Sequence, residues 1–208
     1  MDTVVIQQEL QNLKLFRGAP NIVQLFAVVI STNPYQTTTR DDNPIVIRGF
    51  LLEHHPGGTL EQRFKDIDVT NFPWRRWPLQ IGYGLLELHQ RNITHMDLKP
   101  SNIVIDRDRN AVLIDISGIG GVTYEWLAPE LRDEDALSFP LEGRKLNDIW
   151  AYGKWLSAIA ESVDGSQDVD LLREIARNTT SNRPELCMGL FDVISKLKRL
   201  DSETSHVR

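Results

Sequence analysis

Asp97, Lys99 and Asn102 fall within one short stretch, and Asp115 ends the next apolar run. Carboxylate and carboxamide oxygens suit Mg2+, a hard cation that shares its coordination with substrate phosphate. Moving a phosphoryl group to a hydroxyl needs such ions, a carboxylate to orient the nucleophile, and positive charge on the group in transit. Asp97, Asn102 and Asp115 supply such oxygens and Lys99 the positive charge, so these four are the candidate site residues. Any one of them alone reads as an ordinary cap or turn residue. The joint pattern carries the weight.

Hydrophobic periodicity supplies the elements that must position these groups. Val5, Ile6, Leu10, Leu13 and Phe16 recur at helical spacing before Gly18 and Pro20. Ile22–Ile30 and Ile45–Leu52 read as strands, paired antiparallel across the polar loop Ser31–Pro44. Leu60–Asp66 and Trp77–Arg91 read as helices, and Ile103–Ile105 and Val112–Ile114 as short buried strands around the turn Asp106–Asn110. That pairing should bring Asp115 close to Asn102. Asn147–Ser162, Leu171–Arg177 and Glu185–Leu200 complete a helical second half, with a polar tail from Asp201. The layout is α+β.

Composition bounds the partners. The 208 residues are 41% apolar and 25% charged, ordinary for one globular domain. A net charge of −6 gives no basic footprint for nucleic acid or an anionic membrane. The one cysteine, Cys187, excludes an internal disulfide framework and suits a reducing compartment. The chain starts without a basic, apolar leader, and Ile22–Ile30 is too short to span a bilayer. A cytoplasmic or nuclear protein is expected.

His95-Met96-Asp97-Leu98-Lys99-Pro100-Ser101-Asn102 resembles the catalytic loop of the protein kinase superfamily, serine/threonine type. Asp115-Ile116-Ser117 takes the place of Asp-Phe-Gly, and Thr123–Glu130 resembles the end of the activation segment. Asn147–Gly153 resembles the central helix, and Asn182-Arg183-Pro184 the site of the arginine that pairs with Glu130. The resemblance implies Asp97 as the base for the substrate hydroxyl and Lys99 on the γ-phosphate. It implies Asn102 and Asp115 on Mg2+, and Glu53, His55 and Val104, with Lys99, around ATP. It implies Leu52 as gatekeeper, and a stack of Leu13, Leu25, Ile116 and His95 anchored on Asp148. Glu9 falls where the family carries the glutamate that pairs with the ATP-binding lysine.

The departures from the pattern are as specific as the matches. The 208 residues contain neither Gly-x-Gly-x-x-Gly nor a Val-Ala-Ile-Lys strand, so Glu9 reads as a solvated carboxylate. Met96 stands where a phosphate-reading arginine is usual, and Ser117 where glycine is usual. Expected is a small-lobe remnant over 1–52 (one helix and two strands), a helical kinase-like lobe over 53–200 and a tail over 201–208. ATP and Mg2+ would bind weakly or not at all. Expected in function is an impaired kinase or pseudokinase used as a binding or regulatory module, with a protein partner or second copy on the exposed small sheet. The alternatives are an active phosphotransferase completed by a partner chain, and a different enzyme reusing the cleft.

Overall fold

The structure, a computed structural model, describes residues 3–32, 45–66, 71–163, 167–181, 183 and 186–204. Residues 33–44 of the expected loop lie outside the described residues, as do Asn182 and Pro184.

Helix α1 (Thr3–Leu15) turns Leu10 and Leu13 inward, and Phe16 follows them into the core. Strands β1 (Leu25–Thr32) and β2 (Ile45–Leu52) pair antiparallel, Leu25 opposite Leu52 and Ile30 opposite Ile47. Ile22 and Val23, expected inside β1, lie before it. Ile22 bridges Leu113 in parallel, and the Val23 N–H donates to Leu113 O at 2.9 Å. Their β-branched side chains are buried, and their backbone pairs with Leu113 rather than with β2.

Helices α2 (Leu60–Asp66) and α3 (Arg76–Gln90) follow, then the hairpin β3 (Ile103–Ile105) and β4 (Ala111–Leu113). Trp77, Ile81, Leu85 and Leu88 recur on one face of α3 and are fully buried. On its flank, Gln80 grips the hairpin turn: Oε1 accepts from the Ala111 N–H at 2.9 Å and Nε2 donates to Asn110 Oδ1 at 2.8 Å. That grip fixes the strand leading into Asp115.

The second half is helical: α4 (Leu141–Ser162), α5 (Gln167–Thr179) and α6 (Leu190–Thr204). Helix α4 starts at Leu141, well before Asn147, with Glu142 in its first turn. Helix α5 starts at Gln167, so its connection to α4 is shorter than the expected Val163–Asp170. The stretch expected as tail is still helix through Thr204. Helices α4 and α5 approach closely at Gly153, where a Cβ would stand 1.9 Å from Thr179 Oγ1. The result is a helical α+β architecture with two small antiparallel sheets and one main core. Among the described residues no helix is long and apolar enough to cross a membrane.

Candidate functional site

Lys99, Asn102 and Thr123 converge on the carboxylate of Asp97. Its Oδ2 accepts from Lys99 Nζ at 2.6 Å and Asn102 Nδ2 at 3.0 Å. Its Oδ1 accepts from the Thr123 N–H at 3.0 Å. Lys99 Nζ also donates to Thr123 Oγ1 at 2.6 Å, and Asn102 Nδ2 to Asp97 O at 2.9 Å. Charge-assisted bonds of this kind orient a carboxylate more firmly than neutral ones. Lys99 and Thr123 line a cleft of about 300 Å3 with Glu61, Pro100, Ser101 and Trp126. Asp97 lies behind these two residues, hydrogen-bonded to both.

The loop is held from beneath by Asp148, a fully buried carboxylate on α4. Oδ2 accepts from the His95 N–H at 2.8 Å and from His89 Nε2 at 2.9 Å; Oδ1 accepts from the Met96 N–H at 2.8 Å. Met96 sits at φ 65°, a left-handed backbone that a long side chain rarely adopts. Asp148 therefore pins a strained turn. The His95 ring accepts from the Asp97 N–H at Nδ1 (3.3 Å), which leaves Nε2–H to donate to Ile114 O at 3.0 Å. The Met96 side chain is buried with Leu127, Ala128, Leu131 and Ala136, joining the loop to the segment after Thr123.

The hairpin brings Asp115 beside Asn102, because the Ile114 N–H donates to Asn102 O at 3.1 Å and extends the β3–β4 pairing. Asp115 lies at φ 58° and is exposed. Asn102 spends its amide nitrogen on Asp97 and keeps Oδ1 for a ligand. A carboxylate and a carboxamide on two backbone segments joined by that bond suit Mg2+, which takes few protein ligands and completes its shell from phosphate and water. Half-buried Glu9 on α1 lies within reach of the Asp115 charge. Burial first, and then the Asp115 charge, hold its carboxyl above the usual glutamate range.

Leu13 and Ile116 are fully buried, His95 nearly so, and Leu25 packs against the same core from a half-buried position. Asn12 fastens α1 to the turn after Asp115: Nδ2 donates to Ile116 O at 2.6 Å and Ser117 O at 3.1 Å. Asn147 Oδ1 accepts from the Ala128 N–H at 2.8 Å. Sequence reasoning assigned neither residue a role. The available signal was an asparagine beside buried apolar positions in a helix, where only a satisfied amide is tolerated.

Two expectations differ from the geometry. Glu130 and Arg183 are both exposed and form no ion pair, and two solvated charges gain little from pairing. Glu53 and His55 line a cleft of about 580 Å3 with Gln24, Leu25, Phe26, Leu52 and Asp106–Asp108. Val104 does not line it, being buried and bridged to Thr59, and neither do Asp97, Lys99, Asn102 or Asp115. The Glu53 N–H is spent on Gln24 O at 2.9 Å.

The chain is 28% identical over 205 residues to "3-phosphoinositide-dependent protein kinase B" of Dictyostelium discoideum, covering 86% of this chain and 20% of that protein. It is 25% identical over 219 residues to "CBL-interacting protein kinase 26" of Oryza sativa subsp. japonica, covering 97% of this chain and 40% of that protein. It is 28% identical over 165 residues to "Serine/threonine-protein kinase ATG1b" of Arabidopsis thaliana, covering 72% and 23%. The chain thus spans well under half the length of these relatives. Residues 2–180 match the protein kinase domain family, with the assembled loop of Asp97, Lys99 and Asn102 inside the match, and the chain belongs to that family.

Proposed function

We propose that these 208 residues carry the phosphotransfer half of a serine/threonine-type kinase site and bind nucleotide weakly on their own, so that turnover is impaired and the fold serves largely as a binding or regulatory module. One observation carries the first part. Lys99, Asn102 and Thr123 hold Asp97 in a single orientation, behind a cleft that Lys99 and Thr123 line. Asp97 would accept the hydroxyl proton, Lys99 would meet the transferred group, and Asn102 and Asp115 would hold Mg2+, which supplies charge neutralisation on the phosphates. The serine/threonine assignment is supported by Lys99 and its bond to Thr123, and by the printed name of the Arabidopsis relative.

The second part is supported by Glu9, whose carboxyl is held up by burial first and then by the Asp115 charge, with no lysine paired to it among the described residues. The glycine loop and the lysine strand that would cover the phosphates are not among these residues. Each charge-assisted hydrogen bond forgone is worth about 1.5–3 kcal/mol, so two or three weaken ATP by several orders of magnitude. Thermal shift with ATP and Mg2+ tests this. A small Mg2+-dependent rise in Tm, absent in Asp115→Asn, is expected; no rise at millimolar ATP removes the nucleotide site.

A second reading is completion in trans, a strand of another protein chain adding to the small sheet. It is favoured by Phe26, Ile30 and Ile45, which are 84%, 56% and 68% exposed on a two-stranded sheet. Light scattering at increasing concentration tests the simplest case, a second copy; a monomer throughout rejects it.

A further inference from the structure

Behind the Asp115–Ser117 turn, α1, the loop after α3 and the start of α4 frame a pocket of about 160 Å3. Gln8, Asn12, Asn92, Thr94, Ser117 and Arg144 line it, and none of Asp97, Lys99, Asn102 or Asp115 does. Two features set it apart. Thr94 is 2% exposed, and its Oγ1 has no hydrogen-bond partner. Arg144, also in the wall, has a buried Nε without a partner and makes no ion pair among the described residues. Buried polar atoms are nearly always satisfied, so an orphaned hydroxyl and an orphaned guanidinium N–H beside one pocket point to a ligand that accepts from both.

The charge of the lining decides its class. Arg144 is the one charged residue in the wall, and no carboxylate lines it. Lys145 adds positive charge nearby, reaching Asn92 Oδ1 at 3.4 Å while paired with the exposed Glu142 at 3.0 Å. A guanidinium fork with hydroxyl and amide donors around it matches a tetrahedral oxyanion. A cation would meet Arg144 unscreened, and an apolar ligand would leave the orphaned groups as they are.

We propose that this pocket binds a small oxyanion of the phosphate class on Arg144, with the Thr94 and Ser117 hydroxyls as further donors. Because Asn12 and Ser117 belong both to the pocket wall and to the α1 fastening, a bound oxyanion strengthens the docking of α1 on the turn that carries Asp115. The site stands independently of whether the chain transfers phosphate.

Thermal shift and calorimetric titration of the whole chain with inorganic phosphate, ionic strength held constant with chloride, test the site. A saturable rise in Tm of about 3–6 °C at ten times the dissociation constant is expected for a chain of this size. Arg144→Gln should abolish it, Thr94→Val should weaken binding about tenfold, the loss of one hydrogen bond, and Asp97→Asn should leave it intact. O-phosphoserine run in parallel distinguishes a side-chain phosphoryl group from the free ion, by whichever binds more tightly. No saturable rise, or a rise that chloride reproduces or Arg144→Gln retains, overturns the proposal. Loss in Asp97→Asn assigns the phosphate to the phosphotransfer cleft and overturns it too. Should Arg144→Gln fail to fold, unchanged binding in the near-isosteric Thr94→Val decides against it.

Discussion

Replacing Asp148 by asparagine changes one oxygen into an NH2 group at a fully buried position that now satisfies three donors. The amide oxygen can take over Oδ2 and keep His95 N–H and His89, but its NH2 then faces the Met96 N–H, donor against donor. One buried backbone N–H is left unpaired, at about 1–3 kcal/mol. The two retained bonds lose their charge assistance and roughly half their strength, about another 1 kcal/mol together. The left-handed Met96 backbone also loses the bond that pins it. Together Asp148→Asn should destabilise by about 2–4 kcal/mol, lowering Tm by roughly 4–16 °C for a chain of this size. Urea denaturation followed by tryptophan fluorescence measures it, as a lower midpoint at unchanged slope. A loss under about 0.5 kcal/mol, the range of an ordinary surface substitution, refutes the claim that this carboxylate holds the loop.

Three further outcomes follow from local geometry. Gly153→Ala places a methyl against Thr179 Oγ1 and Cβ between α4 and α5, and should cost about 1–3 kcal/mol in the same denaturation experiment. Asn12→Ala removes both donors to Ile116 O and Ser117 O, costing about 1–3 kcal/mol, and should speed amide exchange at Ser117–Val122 while α5 is unaffected. Glu9 is held above its usual 4.5 by burial and then by Asp115, so the folded chain binds that proton more readily than the unfolded one. Stability therefore falls as pH rises from 4.5 to the raised value. Glu9→Gln should be more stable than the native chain at pH 7 by about 0.5 kcal/mol or less, after discounting for solvent screening, and should match it below pH 4.

What was legible in the sequence was whatever is fixed by short spacing. Asp97, Lys99 and Asn102 lie on one loop, and two strands of known length carry Asp115 back to Asn102, so their convergence needed no tertiary information. Helix boundaries were less legible where the signal is polar: Glu142 to Lys145 show no apolar face, yet they form the first turns of α4. Ile22 and Val23 have strand chemistry, but they spend their backbone on Leu113 because the segment after α1 pairs with β4, a contact between distant segments. The same limit hid Asn12, whose partners lie more than a hundred residues away, and the pocket at Arg144, which needs three elements to close around it. Glu130 and Arg183, paired by resemblance, are both left in solvent.

The most direct test of the central claim is a calorimetric titration of the chain with ATP, with and without Mg2+, on the native sequence and on Asp115→Asn. Expected is Mg2+-dependent binding in the millimolar range that Asp115→Asn abolishes without unfolding the chain. Micromolar affinity that neither Mg2+ removal nor Asp115→Asn disturbs would contradict the assignment of Asn102 and Asp115 and the weakness of the nucleotide site together.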